Sequence, residues 1–154
     1  MTKDAIYFLI VIIVFTTLLI GLDVYIRYDI VAECENFMKL TMESSVKNTY
    51  ITSDNIKLFN RVEASSVFIN MLKENFTFND QLSSIDPNAR IQKAEIIEFT
   101  LFDESNITFP YTHIDSGEVF NDPFGHARIR FTIRSIYETY SFVLHMDVSV
   151  QELE

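Results

Sequence analysis

Residues that interrupt or cross-link a chain are scarce in this sequence, which has three glycines, three prolines and one cysteine among 154 residues. This composition excludes a long flexible linker and a low-complexity tract, and a single cysteine allows no internal disulfide. Glycine-rich phosphate-binding loops and the G-x-S-x-G nucleophile motif are also absent. We therefore expect one domain with appendages, no enzymatic activity and no cofactor.

Basic residues are also few, with 12 Lys and Arg against 22 Asp and Glu, which gives a formal net charge of −10. Lys3 and Asp4 cancel, so the whole excess lies on residues 23–154. Nucleic acids bind through Lys and Arg, so this balance argues against a nucleic-acid partner. It also argues against charge-driven binding to anionic lipid.

What the chain does have is a long apolar start, because residues 5–22 include no charged side chain. About 20 apolar residues span a bilayer core, so this run predicts a transmembrane helix. The alternative, a cleaved signal peptide, needs a basic start, a shorter run and a small-residue cleavage site, which the sequence lacks. We predict a single-pass anchor in the cell membrane over residues 5–22, with residues 1–4 as a short cytoplasmic tail and residues 23–154 outside the cytoplasm.

No proline and no glycine separates Gly21 from Thr49, so the helix is predicted to continue as an amphipathic stem over residues 23–51. At about 100° per residue, its apolar side chains form two stripes. The first, called the domain stripe, is expected to pack on the protein's own domain and comprises Val24, Tyr28, Val31, Met38, Met42 and Val46. The second, called the assembly stripe, comprises Ile26, Ile30, Phe37 and Leu40.

Two stripes indicate two partners, so the assembly stripe is expected to contact other subunits. The alternative is a helix lying in a cleft of its own fold. Glu35 falls inside the domain stripe, where an unpaired carboxylate is costly. It is interpreted either as a residue that stays in water or as a registry contact with another subunit.

Residues 52–154 are predicted to form an exported α+β domain. Ser53, Asp54 and Asn55 supply a helix N-cap, and apolar residues then follow at helical spacing to Phe76. A loop over residues 77–88 precedes strands with a period of two. Ile97, Phe99 and Leu101 alternate with polar residues, and a short return over 107–111 is expected to pair with that strand.

The last two strands alternate most regularly. One has Ala127, Ile129, Phe131 and Ile133 on a face opposite Arg128, Arg130 and Arg134, and the other alternates from Tyr140 to Val150. Such alternation indicates an antiparallel sheet with one buried face, here of three to five strands covered by the helices. The arginines are expected to pair with Glu95 or Glu98 on a neighbouring strand, or else to bind an acidic partner.

Candidate chemistry is sparse. His113, His126 and His145 have no metal-ligand spacing, and we expect surface histidines and no metal site. Cys34 lies between Glu33 and Glu35, which raise a thiol's pKa, so we expect a partly buried, unreactive residue. The turn-rich segment 115–125 carries Asp115, Glu118, Asn121 and Asp122, which are interpreted as a solvated loop or, alternatively, as a calcium or ligand site.

The stretch Gly21–Lys39, GLDVYIRYDIVAECENFMK, resembles the same region of pilin-like proteins, most of all TadE-type pseudopilins and their relatives in pilus and conjugation loci. In that group a polar residue after the membrane run, then an aromatic and basic pair, leads into a long assembly helix before a small sheet. The resemblance implies a structural subunit found in surface filaments. Its implied partners are lipid and other pilin-like or assembly-platform subunits, including copies of itself.

Two features depart from that family. Type IV prepilins have a glycine cleavage site followed by a glutamate within the apolar run, whereas here the run follows Lys3 and Asp4 and holds no glutamate. Processing by a prepilin peptidase is therefore not expected, and a minor pseudopilin of a pilus or secretion apparatus fits better than a major one. The alternative function is a membrane-tethered extracytoplasmic module that binds or senses a ligand.

Overall fold

The computed structural model describes residues 3–53 and 56–150, without the side chain of Ser53. Two helices and seven strands follow one another along the described chain: α1 Lys3–Thr49, β1 Tyr50–Ser53, β2 Ile56–Phe59, α2 Arg61–Phe76, β3 Ile91–Phe102, β4 Tyr111–Thr112, β5 Val119–Phe120, β6 Phe124–Arg134 and β7 Thr139–Ser149. This order confirms the predicted α+β fold, with a long first helix, a second helix and then antiparallel sheets.

Helix α1 runs without a break through the apolar start and the stem, and it ends at Thr49, two residues before the predicted end at residue 51, because Tyr50 and Ile51 pair with β2. Nothing in its sequence stops it, since it contains no proline and its only glycine is Gly21. Asp4 in the first turn and Lys47 in the last turn complement the helix dipole. Its apolar start protrudes, whereas the part from Asp23 onward has one side packed against the domain, chiefly α2 and the sheet.

The main sheet has three antiparallel strands in the order β3-β6-β7. The predicted buried face of β6 is confirmed, because Ala127, Ile129, Phe131 and Ile133 are all inaccessible to solvent. Phe131 packs against Phe76 of α2, with ring centroids 5.2 Å apart. The hydrophobic core therefore lies between this face of the sheet and the two helices.

Strand β3 does not keep the predicted alternation. A register shift between Ile96 and Glu98 marks a bulge, which adds one residue and exchanges the two faces. As a result Ile96, Phe99 and Leu101 pack on the core, whereas Ile97 is 39% exposed. The expected placement of Phe99 and Leu101 is correct, and that of Ile97 is wrong.

The second helix begins later than the sequence indicates. Ile56–Phe59 is a strand paired with Tyr50–Ser53, and the helix starts after Asn60. The Asn60 side chain accepts the backbone N–H of Glu63 and donates to its carboxylate at 2.9 Å, which is a reciprocal cap. Asp54 and Asn55, predicted as caps, lie outside the described residues. The predicted end at Phe76 is confirmed, with Thr77 in the left-handed region.

The predicted return strand over 107–111 does not pair with β3. Only Tyr111 belongs to a strand, β4, and its partner is Phe120 of β5. The chain leaves the sheet after Phe102 because the buried Asp103 carboxylate binds elsewhere, accepting the Phe59 N–H at 3.1 Å and the Arg61 guanidinium at 3.1 Å. These bonds tie the end of β3 to the start of α2.

Two arginines on the other face of β6 pair across the sheet. Arg130 lies opposite Glu95 in the register and bonds to it at 2.9 Å, and Arg128 lies opposite Glu98 at 3.7 Å. This is the arrangement expected from cross-strand pairing of opposite charges. These guanidinium groups are therefore already engaged within the sheet.

Candidate functional site

The apolar start of α1 is long and apolar enough to cross a membrane. None of its most apolar 18-residue window is buried within the protein. At 1.5 Å per residue, the uncharged run spans about 27 Å, close to the thickness of a bilayer core. The segment is compatible with a single-pass membrane anchor.

The packed face of the stem is centred on small residues rather than on either predicted stripe. Cys34, Thr41 and Ser45 are fully buried at its centre. The hydroxyls of Thr41 and Ser45 donate to carbonyls four residues earlier, at 2.8 and 2.7 Å, so each can be buried without losing a hydrogen bond. The two apolar stripes lie on either side of this line.

This placement divides both stripes. In the domain stripe Met38, Met42 and Val46 are fully buried, Val31 is half-buried, and Val24 and Tyr28 are 61% and 76% exposed. In the assembly stripe Ile30 is fully buried, Ile26 and Phe37 pack against the core, and Leu40 is 50% exposed. Ile26, Ile30 and Phe37 therefore contact their own domain, unlike the prediction that they face another subunit.

Charged groups clamp the stem to the domain where the apolar run ends. Asp23, the first charged residue after the run, is 4% exposed and accepts the Ile136 backbone N–H at 2.9 Å. Arg27 bonds to Asp23 at 2.7 Å and to Glu138 at 2.9 Å, and its guanidinium lies 4.8 Å from the centre of the Tyr140 ring. The stem is thus held against the turn between β6 and β7.

The electrostatics of this clamp favour the ionised form of Asp23. Burial alone would raise the pKa of its carboxyl, but the Ile136 N–H, the Ser135 hydroxyl and Arg27 together hold that pKa below its usual value. The Asp23–Arg27 spacing of four residues is visible in the sequence. Glu138 and Tyr140 come from a distant hairpin, and no local pattern points to them.

Glu35 and Cys34 have opposite environments on the stem. Glu35 is exposed, which agrees with the interpretation that it stays in water and leaves the registry contact as a prediction. Cys34 is fully buried, and burial together with Glu33 and Glu35 raises its thiol pKa to about 12. Cys34 is therefore a packing residue with no thiolate at neutral pH.

Two histidines that are far apart along the chain lie next to each other in the structure. His113 and His126 are both buried, so the expectation of surface histidines is wrong for them and holds for His145. His126 Nδ1 lies 2.7 Å from Asp147 Oδ1, and His113 Nδ1 lies 3.4 Å from Asp147 Oδ2. The cause is the register of the sheet, which places His126 of β6 directly opposite Asp147 of β7.

Carboxylates surround the outer side of this pair. His126 Nε2 lies 3.9 Å from Asp115 Oδ2 and 4.0 Å from Glu98 Oε2. Burial by itself would raise the pKa of Asp147, but the bonds from His126 and Ser116 keep that pKa below its usual value. We call Glu98, His113, Asp115, His126 and Asp147 the histidine–carboxylate cluster.

The four candidate calcium ligands of segment 115–125, which are Asp115, Glu118, Asn121 and Asp122, point to different surroundings. Asp115 turns towards His126, whereas Asp122 forms an ion pair with Lys57 of β2. Glu118 and Asn121 are exposed. These four side chains therefore do not converge on one point, as a calcium site in this loop would require.

Comparison of the chain with models of protein families, with curated proteins and with solved structures finds no match.

Proposed function

We propose that this protein is a membrane-anchored structural subunit of a pilin-like assembly, with its α+β domain outside the cytoplasm. The observation that carries the proposal is that one uninterrupted helix, Lys3–Thr49, joins an exposed apolar segment to the core of a folded domain. An apolar segment of this length is covered by lipid or by the helices of neighbouring subunits. Because the same helix forms the apolar segment and part of the domain core, the position of the apolar segment fixes the position of the domain.

The clamp supports this role. Asp23 and Arg27 tie the first turn of the stem to residues 135–138, so the domain is fixed at the end of the anchor rather than tethered by a flexible linker. In a regular assembly, every subunit must hold its domain in the same orientation relative to its own helix, because that helix packs against the helices of neighbouring subunits. A tethered binding module has no such requirement.

The stem also presents apolar side chains that its own domain leaves uncovered. At about 100° per residue, Tyr25 falls about 180° from the buried Cys34, Tyr28 and Leu40 fall about 120° from it on the two flanks, and Val24 falls about 80° from it. Their exposures range from 50% to 76%, and they are Val24, Tyr25, Tyr28 and Leu40. We call this set the outer stem surface and assign it to contact with a neighbouring subunit of the same kind.

The proposal predicts that a charge on the outer stem surface prevents assembly without unfolding the domain. Tyr28→Asp and Leu40→Asp should each lower the yield of chemically crosslinked copies in membranes at least about tenfold, since 1.4 kcal/mol of lost contact energy corresponds to that factor. The circular dichroism of both variants should match that of the unmodified protein. Crosslinked species are quantified by mass spectrometry.

Val62→Asp is the matched control, because Val62 is 84% exposed and belongs to α2 rather than to the stem. It introduces the same charge and should leave crosslinking unchanged. Normal crosslinking of both stem variants would rule out the outer stem surface as the contact.

The second candidate is the membrane-tethered binding module. The observation in its favour is Asp115, a loop residue whose carboxylate lies 3.9 Å from Nε2 of the buried His126. In that case changes in the loop abolish function, whereas changes on the outer stem surface do not.

A further inference from the structure

His126 has one ring nitrogen with a partner and one without. Its Nδ1 lies 2.7 Å from Asp147 Oδ1, and because a carboxylate only accepts, the ring donates its Nδ1–H in this hydrogen bond. In the neutral ring this leaves Nε2 as an acceptor with a free lone pair. Nε2 is buried and has no hydrogen-bond partner among residues 3–53 and 56–150. A buried polar atom without a partner is costly, so it calls for an explanation.

Nε2 is directed at two carboxylates that are too far away to bond to it directly. Asp115 Oδ2 and Glu98 Oε2 lie at 3.9 and 4.0 Å. Two ligand atoms on one tetrahedral Zn²⁺ are about 3.4 Å apart, given metal–ligand bonds of about 2.0–2.1 Å. The Asp115 and Glu98 side chains are 50% and 38% exposed, so both have room to close the difference.

We propose that His126 Nε2, Asp115 and Glu98 bind a divalent transition-metal ion, with Asp147 as the positioning residue. A metal-bound histidine commonly donates its other ring N–H to a carboxylate, which fixes the tautomer and the direction of the ring. Asp147 already occupies that position. His113 and Ser116 in turn contact the Asp147 carboxylate. A cavity of about 150 Å³ lies at this site and is lined by Asp115, Ser116, His126, His145 and Asp147.

The local charge favours a cation. Glu98, Asp115 and Asp147 place three carboxylates around the His126 ring, and the Arg128 guanidinium lies 3.7 Å from Glu98 Oε2. The remaining excess of negative charge is what a divalent ion neutralises. Arg128 competes for Glu98, so this ligand is shared rather than dedicated to the ion.

The donor set selects the class of metal. Imidazole suits Zn²⁺ and its neighbours in the first transition row, whereas Ca²⁺ and Mg²⁺ prefer a shell of oxygen atoms. The ion links the loop that carries Asp115 to Glu98 of β3 and His126 of β6. It therefore fastens the small β4–β5 hairpin to the main sheet, and this role is independent of the proposed assembly function.

The test uses the full chain without a polyhistidine tag, in detergent micelles, after treatment with a chelator. We expect Zn²⁺ to raise the melting temperature and Ca²⁺ at the same concentration to leave it unchanged. Co²⁺ should give the visible absorption of a site with nitrogen and oxygen ligands. Asp115→Asn and Glu98→Gln should each weaken Zn²⁺ binding at least about tenfold, and Asp147→Asn about 10–100-fold.

Glu118→Gln is the matched control, since it removes the same charge from the same loop at an exposed position and should leave the Zn²⁺ affinity unchanged. Asp115 and Glu98 are used in preference to the buried His126, because their variants keep the core and their folding is checked by circular dichroism. The absence of a Zn²⁺-induced shift would overturn the proposal. An equal response to Ca²⁺, or unchanged Zn²⁺ affinity in Asp115→Asn and Glu98→Gln, would do so too.

Discussion

Replacing Ile30 with aspartate is expected to lower the free energy of unfolding of the domain by at least about 4 kcal/mol. Ile30 is fully buried where α1 meets the sheet. The substitution removes an apolar side chain from the core and places a carboxylate there without a partner. Domains of ordinary size have about 5–15 kcal/mol of stability, so a large fraction of it is lost. Urea unfolding of the full chain in detergent micelles, followed by circular dichroism, measures the change.

Tyr28→Asp is the control for Ile30→Asp, because it places the same group two residues earlier on the exposed side of the helix. Its unfolding midpoint should stay near that of the unmodified chain. The pair of variants separates the buried face from the outer stem surface. A native-like midpoint for Ile30→Asp would mean that the stem does not pack against the domain at this residue.

The second large effect is expected at Gly125, where the stem crosses β6 at close range. A β-carbon there would lie 2.8 Å from Val46 Cγ2 and 3.2 Å from both Leu101 Cδ2 and Met42 Cε. Gly125→Val should therefore cost about 3 kcal/mol, the upper part of the usual range for overpacking a core. The same urea experiment measures it.

A double-mutant cycle tests the cause of that loss. Val46→Ala removes the nearest contact, so the combination with Gly125→Val should be less destabilised than the sum of the two single changes. Gly21→Ala is the matched control, because a β-carbon at Gly21 meets no atom within 4 Å. Additive effects of Gly125→Val and Val46→Ala would contradict direct packing between the stem and this strand.

The architecture could be predicted from the sequence because its signals are local. The uncharged run predicts the apolar start of α1, and the lack of proline up to Thr49 predicts that the helix continues into the stem. The strict alternation of apolar and polar residues predicts β6 and β7. The stem was harder, since its packed face is centred on Cys34, Thr41 and Ser45. Counting apolar residues misses small side chains whose hydroxyls bond to their own helix, so the two flanks of one packed face look like two separate faces.

The histidine–carboxylate cluster could not be predicted, because it depends on register and on a loop. His126 and Asp147 are 21 residues apart and meet only when β6 and β7 pair as they do. Asp115 and His113 come from the β4–β5 hairpin, which lacks the alternation of a long strand. The bulge in β3 could not be predicted either, because it depends on how β3 pairs with β6. Its one inserted residue moves Ile97 to the exposed face.

The central claim, that a continuous helix makes this chain an anchored assembly subunit, is tested most directly by fractionating the cells that produce it. Cells are sheared, filaments are collected by centrifugation, and membranes are crosslinked mildly before the chain and its N-terminus are identified by mass. We predict recovery in filaments, or in membranes crosslinked to assembly subunits or to other copies. Recovery only as an uncrosslinked monomer in the membrane, or in the soluble fraction, would contradict the account.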